Sequence, residues 1–448
     1  MAPALTERRP LLDMADIFRR HAVVYSETFL TSALQWKVMC SITNCRTSVL
    51  GGHLDRCDAC GTERNCYNSC RNRHCPKCQA LARERWLAAR QAELLPVHYF
   101  HVVFTMPGLI APLALQNKQV LYDILFKAAG EALCGIAADP EHLGAQIGYL
   151  AILHTWGQNL LLHPHIHCIV PGGGLSLDGQ RWVAARPKFL VSVRVLSRRF
   201  RTLFHEALLA AFRGGKLEFH GKLKHLEDPA AFLSWLESTR AKDWVVYAKK
   251  TFGGPAHALQ YLGRYTHKVA ISNHRLERVT NDNVTFRWKD YRSGQTQLLM
   301  SLHPHEFMRR FLLHILPLGF VRIRYGGFLA HRHRAAKIAL CRTLLQQPPT
   351  IPSSRTVTPP STRMLATLCR DSLSPPPIST SSPPDTATTI DWKQRYKLLT
   401  GRSVDDCSAC GHGYMAIVTV IPAVASLHRK TRKQRRHRRF TVMSRALS

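Results

Sequence analysis

The sequence predicts a mixed α+β protein preceded by a small metal-stapled module, and three observations predict it. Eight of the 14 cysteines (Cys40, Cys45, Cys57, Cys60, Cys66, Cys70, Cys75 and Cys78) fall within 39 residues. Strand-like runs and helical patterns alternate between His98 and Ile315. The apolar fraction, 45%, is ordinary for a chain that buries real cores, and 448 residues allow two to four domains at roughly 100–200 residues each.

Taken in order, Leu11–Val24 is amphipathic enough for one helix, and Ala80–Leu95 is rich in helix formers, carries Arg83, Arg85 and Arg90, and ends at Pro96. His98–Thr105 reads as a strand closed by the turn signal Met106-Pro107-Gly108. Helical patterning fits Leu113–Leu133. Gly148–Thr155 and Ile166–Val170 are β-rich, the second closed by Pro171-Gly172-Gly173-Gly174. Val191–Phe212 is a basic helix with Arg194, Arg198, Arg199 and Arg201, and Trp244–Ala248 is strand-like. The breaker Gly253-Gly254-Pro255 precedes a helical stretch around His257–His267; Val284–Trp288 and Thr296–Met300 read as short strands and Phe307–Ile315 as a helix. From Gln346 to Thr389 the composition changes, with ten of the 25 prolines between Pro348 and Pro384 among Ser and Thr, the mark of a linker. The expected division is therefore 1–97 for the zinc module, 98–345 for the main domain, 346–390 for the linker and 391–448 for a basic tail.

The 62 Lys+Arg against 29 Asp+Glu leave a net charge of +33, which calls for a polyanionic partner, most often nucleic acid. A ribosome-associated or membrane-surface protein is the blander alternative. No acid follows Asp406; without the nine Lys/Arg beyond it, residues 1–406 still carry +24, so the basicity belongs to the body. No run of 18 uncharged apolar residues occurs, and Met1–Arg9 lacks a signal-peptide core. The expectation is a cytoplasmic protein with no membrane partner, in which cysteines serve as metal ligands rather than disulfides.

Cys57-x2-Cys60 and Cys75-x2-Cys78 are two knuckles separated by 14 residues. Thiolates two residues apart grip a zinc ion from one tight turn, and two such turns complete a closed tetrahedral site. Cys66, Cys70, His53 and His74 are also within reach, so the spacing leaves a second ion or a different set of four open. Arg71, Arg73 and Lys77 between the ligands suit a nucleic-acid backbone, with a solvated basic face as the plain alternative. The C-terminal knuckle Cys407-Ser408-Ala409-Cys410 lacks a second pair, and zinc there would need His412 or distant partners.

Two further patterns carry chemistry. In His163-Pro164-His165-Ile166-His167-Cys168, strand alternation points His165 and His167 the same way, as two positions on one metal require, while Ile166, Cys168 and Val170 face a core. Gln158 is the first choice for a third ligand, with His154 and His163 as alternatives. In Gln260-Tyr261-Leu262-Gly263-Arg264-Tyr265-Thr266-His267-Lys268, two tyrosines four apart share a helix face, so both hydroxyls can address one site. Aromatic pairs at this spacing are usually core. A tyrosine hydroxyl with a pKa near 10 attacks only an activated electrophile, such as a metal-polarised phosphodiester, with Arg264, His267 and Lys268 beside it to stabilise charge.

The co-linear set of Arg71-Asn72-Arg73-His74-Cys75-Pro76-Lys77-Cys78, the strand His101–Thr105, the block His154-Thr155-Trp156-Gly157-Gln158-Asn159, the histidines and the Tyr-Leu-Gly-Arg-Tyr-Thr-His run resembles the HUH transposases of the insertion sequence 91 group over about residues 10–340. The resemblance implies an antiparallel-sheet HUH endonuclease domain with flanking helices after an N-terminal zinc-binding, DNA-contacting domain. It implies a single-strand endonuclease and strand transferase working by a rolling-circle-like route on single-stranded and element-end DNA. Tyr261 and Tyr265 would be the nucleophiles, passing through a 5′-phosphotyrosine. His165, His167 and a third ligand, Gln158 by choice, would hold Mg²⁺ or Mn²⁺, and Cys57, Cys60, Cys75 and Cys78 would hold structural Zn²⁺. Arg71, Arg73, Lys77, Arg264 and Lys268 would contact DNA. The linker and the basic tail are not part of the resemblance. A plasmid replication initiator linked to a helicase would need a G-x-x-x-x-G-K-[ST] loop, which the chain lacks, so no nucleotide triphosphate is expected. A relaxase usually carries its tyrosines before the histidines. A zinc-containing DNA-binding regulator explains the charge and cysteines but gives the histidines and tyrosines no purpose.

Overall fold

The computed structural model describes residues 12–186, 190–241, 244–250, 269–290, 296–346, 391–401 and 403–424, together with Ala258, Tyr261, Gly263 and residues 265–267. In chain order the first elements are α1 (Met14–Thr28), α2 (Ala33–Thr43), β1 (Gly52–Cys57), β2 (Glu63–Tyr67), α3 (Gln79–Gln91), β3 (Tyr99–Thr105), α4 (Ala111–Gln116) and α5 (Lys118–Ala138). Then come β4 (Ala145–Gln146), β5 (Gly148–Trp156), β6 (Leu162–Pro171), β7 (Gly173–Ser176), β8 (Trp182–Ala184), α6 (Val193–Arg213), α7 (Pro229–Arg240) and β9 (Val246–Lys250). The last are β10 (Leu276–Val279), β11 (Val284–Asp290), β12 (Thr296–Leu302), α8 (Pro304–Leu313), β13 (Ile323–Gly327), α9 (Arg334–Gln346), α10 (Trp392–Thr400) and β14 (Met415–Ile421). Among the described residues no helix is long and apolar enough to cross a membrane.

The compact units differ from the contiguous division expected. One unit gathers residues 1–88, 267–315 and 390–448, and the other 89–266 and 316–389. The reason lies in what residues 267–315 pack against. Asp13 caps α1 by a reciprocal capping box, accepts a hydrogen bond from Asn273 (3.1 Å) and forms an ion pair with Lys77 (2.7 Å). Met14 N–H donates to Asn273 in return (3.2 Å), and Phe18 of α1 meets Phe311 of α8 edge to face at 5.6 Å. These contacts recruit the later segment to the N-terminal unit, and no local composition shift marks the excursion. The same unit holds two antiparallel three-stranded sheets, in the orders β14-β1-β2 and β10-β11-β12.

The second unit is built on a five-stranded antiparallel sheet in the order β13-β5-β6-β3-β9. One face is apolar. Phe100, Val102 and Phe104 of β3, Ala151 and Leu153 of β5, and Ile166, Cys168 and Val170 of β6 pack under α5 and α6, which contribute Leu121, Leu125, Phe200 and Phe204. The helix expected over Leu113–Leu133 is two helices broken at Asn117, whose side chain donates to the Glu218 carbonyl and accepts from its N–H. Edge strand β13 is the strand least visible in the sequence, since its Ile-Arg-Tyr-Gly-Gly has almost no alternation. The glycines have a use: Tyr149 of β5 lies between Gly130 of α5 and Gly326 of β13, and a Cβ on either would sit 2.1 Å from the tyrosine.

Trp244 is buried against Phe200 and Phe204, and its indole N–H donates to the Thr239 carbonyl, which fixes the corner between α7 and β9. His205 of α6 is the buried polar group of this corner. Thr239 donates to the Leu236 carbonyl, so its oxygen accepts from His205 Nε2–H (2.9 Å), and Arg240 donates to His205 Nδ1 (3.0 Å). The ring is therefore the neutral Nε2–H tautomer.

Two outcomes are expected. Gly130→Ala destabilises the protein by about 1–3 kcal/mol in urea unfolding, because the methyl group collides with Tyr149 in a closed core. Burial, with added repulsion from Arg240 and Arg201, holds the His205 pKa down to about 4. A lowered folded-state value means that the unfolded chain binds more protons, so stability is full above about pH 6.5 and is lost as the pH falls toward 4. The urea midpoint should drop between pH 6.5 and 4.5, and drop less in His205→Gln.

Candidate active site and cysteine groups

The sheet face opposite the core is lined by imidazoles. On β6, His163, His165 and His167 alternate with Ile166, Cys168 and Val170, which are fully buried on the core side, as alternation requires. Register supplies the neighbours. His154 of β5 stands directly opposite His165, and Val103 of β3 opposite His167. Opposed residues of an antiparallel pair share a face, so His154 joins His165 and His167, and one ligand nitrogen from each lies within 4.8 Å of the others. Gln158, the first choice for a third ligand, lies in the turn between β5 and β6, and His163 lies outside the group. The structure thus brings together His165, His167 and the alternative, His154.

Hydrogen bonds anchor each ring. His154 Nε2–H donates to the Tyr265 carbonyl (2.8 Å), and His165 Nδ1–H to the His163 carbonyl (2.7 Å). A carbonyl only accepts, so the bonded nitrogen of each ring carries a hydrogen. His167 Nδ1 lies 2.8 Å from Nε2 of His101. Three imidazoles anchored by hydrogen bonds fit a divalent first-row transition ion, and suit Mg²⁺, which prefers oxygen ligands, less well.

Tyr261 and Tyr265 are helical and lie over this face. The Tyr265 ring is 4.2 Å from that of His167 and 5.3 Å from that of His101. The Tyr265 hydroxyl donates to that of Tyr261 (3.3 Å), and the Tyr261 hydroxyl is 2.7 Å from His101 Nδ1. Four groups are thereby strung together: His167, His101, Tyr261 and Tyr265. Burial holds the His101 pKa down to about 4, so the ring is neutral and has a single N–H to share between Tyr261 and His167. His101 was not singled out from the sequence. Its signal is a histidine inside the apolar run Tyr99–Phe104 of that strand, on the same side of the pleat as Val103.

The four cysteines expected around one zinc ion do not form one group. Cys75 and Cys78 gather with Cys45 and Cys70, and Cys57 and Cys60 with Cys407 and Cys410. The reason is β-pairing: β1 ends at Cys57 and pairs with β14, which follows the C-terminal knuckle, whereas Cys70 N–H points at Cys45 Sγ (3.4 Å). In the first group Cys45 and Cys75 are fully buried, and Sγ of Cys78 is 3.2 Å from that of Cys45 and 3.6 Å from that of Cys70. Arg71, between these ligands, is exposed in a left-handed conformation, Arg73 is partly desolvated, which lowers its pKa, and Lys77 is paired with Asp13. Arg264 and Lys268 lie outside the described residues, as do the proline-rich stretch from 347 to 390 and the basic run after residue 424.

Comparison with known proteins bears on both regions. The profile of a family described as "Putative transposase" matches residues 148–337, and one described as "Transposase zinc-binding domain" matches residues 17–106. The chain is 50% identical over 414 residues to "Putative transposase y4qJ" of Sinorhizobium fredii (strain NBRC 101917 / NGR234), covering 92% of this chain and 96% of that one. It is 29% identical over 335 residues to "Transposase for insertion sequence element IS801" of Pseudomonas savastanoi pv. phaseolicola, covering 74% of this chain and 78% of that protein. No solved structure matches the chain.

The histidine geometry yields a direct expectation. His154→Ala should weaken Mn²⁺ binding by more than about 10-fold, as His165→Ala does, while Gln158→Ala stays close to wild type in a calorimetric titration. The reverse order would return the third ligand to Gln158.

Proposed function

The chain belongs to the insertion sequence 91 family of transposases that carry an N-terminal zinc-binding domain, and from that premise we propose that it nicks and rejoins single-stranded DNA at element ends through Tyr261 and Tyr265. The observation that supports this most is the pair of tyrosine hydroxyls 3.3 Å apart, connected through His101 to the histidine group. Held by His154, His165 and His167, a divalent ion would polarise the scissile phosphate and offset its charge. Mn²⁺ suits three imidazoles better than Mg²⁺ does.

The residues themselves prepare the nucleophile. To offer Nε2 to an ion, His167 must carry its hydrogen on Nδ1 and donate it to His101 Nε2. His101 then carries its own hydrogen on Nδ1 and donates to the Tyr261 oxygen, and Tyr265 donates to the same oxygen. Two donors aimed at one phenolic oxygen offset the negative charge that builds on it as its proton leaves. In the cleavage step the Tyr261 hydroxyl releases its proton to solvent and its oxygen bonds to phosphorus. The bond from phosphorus to the 3′ oxygen breaks, and the leaving oxygen takes up a proton to become a free 3′-OH. Joining is the reverse: a 3′-OH attacks the phosphotyrosine and the phenol regains its proton. The diester energy is conserved, so no nucleotide is consumed, and the second tyrosine permits a second cut before the first strand is released.

Cys45, Cys70, Cys75 and Cys78 would hold a structural zinc ion in the N-terminal domain. Arg71 and Arg73 beside them, and Arg264 and Lys268 beside the tyrosines, are the cations proposed to meet DNA phosphates; Lys77 has Asp13 as its partner already. Binding should therefore weaken steeply with salt.

The reading is tested by incubating the protein with single-stranded oligonucleotides of the element ends and Mn²⁺. Wild type should form a covalent protein–DNA adduct, Tyr261→Phe/Tyr265→Phe none, and His101→Gln should form it about 10²-fold more slowly. A DNA-binding regulator without catalysis predicts binding and no adduct in any variant, and that result would overturn the reading.

A further inference from the structure

We propose that Cys57, Cys60, Cys407 and Cys410 bind one zinc ion, in a second structural site that fastens the C-terminal segment to the N-terminal cysteine-rich region. The "Transposase zinc-binding domain" match ends at residue 106 and so contains only the first two of these ligands.

The sulfur spacing is the first argument. Four sulfurs about 2.3 Å from a tetrahedral zinc ion stand about 3.8 Å from one another. Sγ of Cys57 is 3.7 Å from that of Cys410, and Sγ of Cys60 is 3.7 Å from that of Cys407. Disulfides would require about 2.0 Å. A pair of thiols from each segment, interleaved at this spacing, is a closed S₄ donor set, which selects zinc over magnesium or manganese.

The two knuckles are also built alike. Each is a Cys-x2-Cys followed by a glycine in the left-handed region, Gly61 (φ 68°) and Gly411 (φ 77°). In each, that glycine's N–H donates to the carbonyl of the first cysteine, Gly61 to Cys57 at 3.1 Å and Gly411 to Cys407 at 3.0 Å. Backbone N–H groups also point at sulfur: Cys60 N–H toward Cys57 Sγ (3.5 Å) and Gly413 N–H toward Cys410 Sγ (3.4 Å). Such donors stabilise thiolates, the form a zinc ion needs.

The backbone holds the two turns together. β14 pairs with β1, with Met415 opposite Cys57. Asp58 N–H donates to the Tyr414 carbonyl (3.1 Å), and Tyr414 N–H donates to the Asp58 carboxylate (2.8 Å). Gly413 lies so close to the first knuckle that a Cβ there would sit 2.4 Å from Cys57 Sγ. Yet β14 buries little: Ile417 is 63% and Val420 74% exposed. A strand reached across hundreds of residues, with so little apolar surface removed from water, needs another source of attachment, and the four thiolates with an ion supply it. The neighbouring group His53, Asp55 and Cys66 differs, because its carboxylate already faces Arg64 at 3.2 Å.

Zinc bound per full-length chain, measured by native mass spectrometry under reducing conditions, tests the site without reference to DNA cleavage. Cys407→Ser/Cys410→Ser should lose one zinc ion relative to wild type, Cys57→Ser/Cys60→Ser should lose one, and the four substitutions together should still lose one, since all report the same ion. Unchanged zinc in Cys407→Ser/Cys410→Ser, or a loss of two in the combined variant, would overturn the proposal. If Cys57→Ser/Cys60→Ser fails to fold, Cys410→His decides. It should keep the ion that Cys407→Ser/Cys410→Ser loses, and equal zinc in these two variants and wild type overturns the site.

Discussion

Strand β6 has to satisfy two environments along ten residues, and the second unit depends on its doing so. Its Ile166, Cys168 and Val170 enter the core under α5 and α6, while His165 and His167 between them face the opposite side. The period-two geometry of a strand makes these assignments inseparable: a slip of one residue against β5 or β3 would bury imidazoles and expose the aliphatic side chains. Core packing therefore enforces the register, and the register in turn sets His154 opposite His165. The histidine group inherits its precision from apolar burial on the other face, with no need for the histidines to attract one another.

The alternation that organises β6 is a local property, which is why it was legible from residue order alone. The strands around it, the basic helix α6 and the tyrosine spacing were legible for the same reason. What escaped was set by partners far away in sequence. His154 belongs with His165 because of a cross-strand pairing, and His101 belongs with Tyr261 because β3 is the neighbour of β6 on its other side. The cysteines show the same limit more sharply. Two knuckles 14 residues apart look like one site, but β1 pairs with a strand more than 350 residues later, and that pairing divides them between two groups. Residues 267–315 likewise join the first unit through Asp13, Asn273 and Phe311, none of which carries a local signature.

In the proposed mechanism the string His167–His101–Tyr261–Tyr265 would link two tasks, holding an ion and generating a nucleophile. A neutral imidazole has one hydrogen, so a choice made at His167 is transmitted through His101 as a choice of donor at Tyr261. Burial of His101 keeps it from escaping that choice by taking a second proton. On the proposed mechanism, Tyr261 would be poised to attack only when the histidine group is arranged to hold an ion, which would couple readiness to cut with the means of cutting.

Strand β14 carries a liability of its own. Met415–Ile421 reads Met-Ala-Ile-Val-Thr-Val-Ile, seven residues without charge, proline or glycine, and its apolar side chains stay largely in water even while it is paired with β1. Segments of this composition stack readily with copies of themselves once their backbone is unpaired. Whatever keeps the strand on β1 therefore also guards against self-association, and a zinc ion held by the C-terminal knuckle, as proposed above, would serve solubility as well as shape.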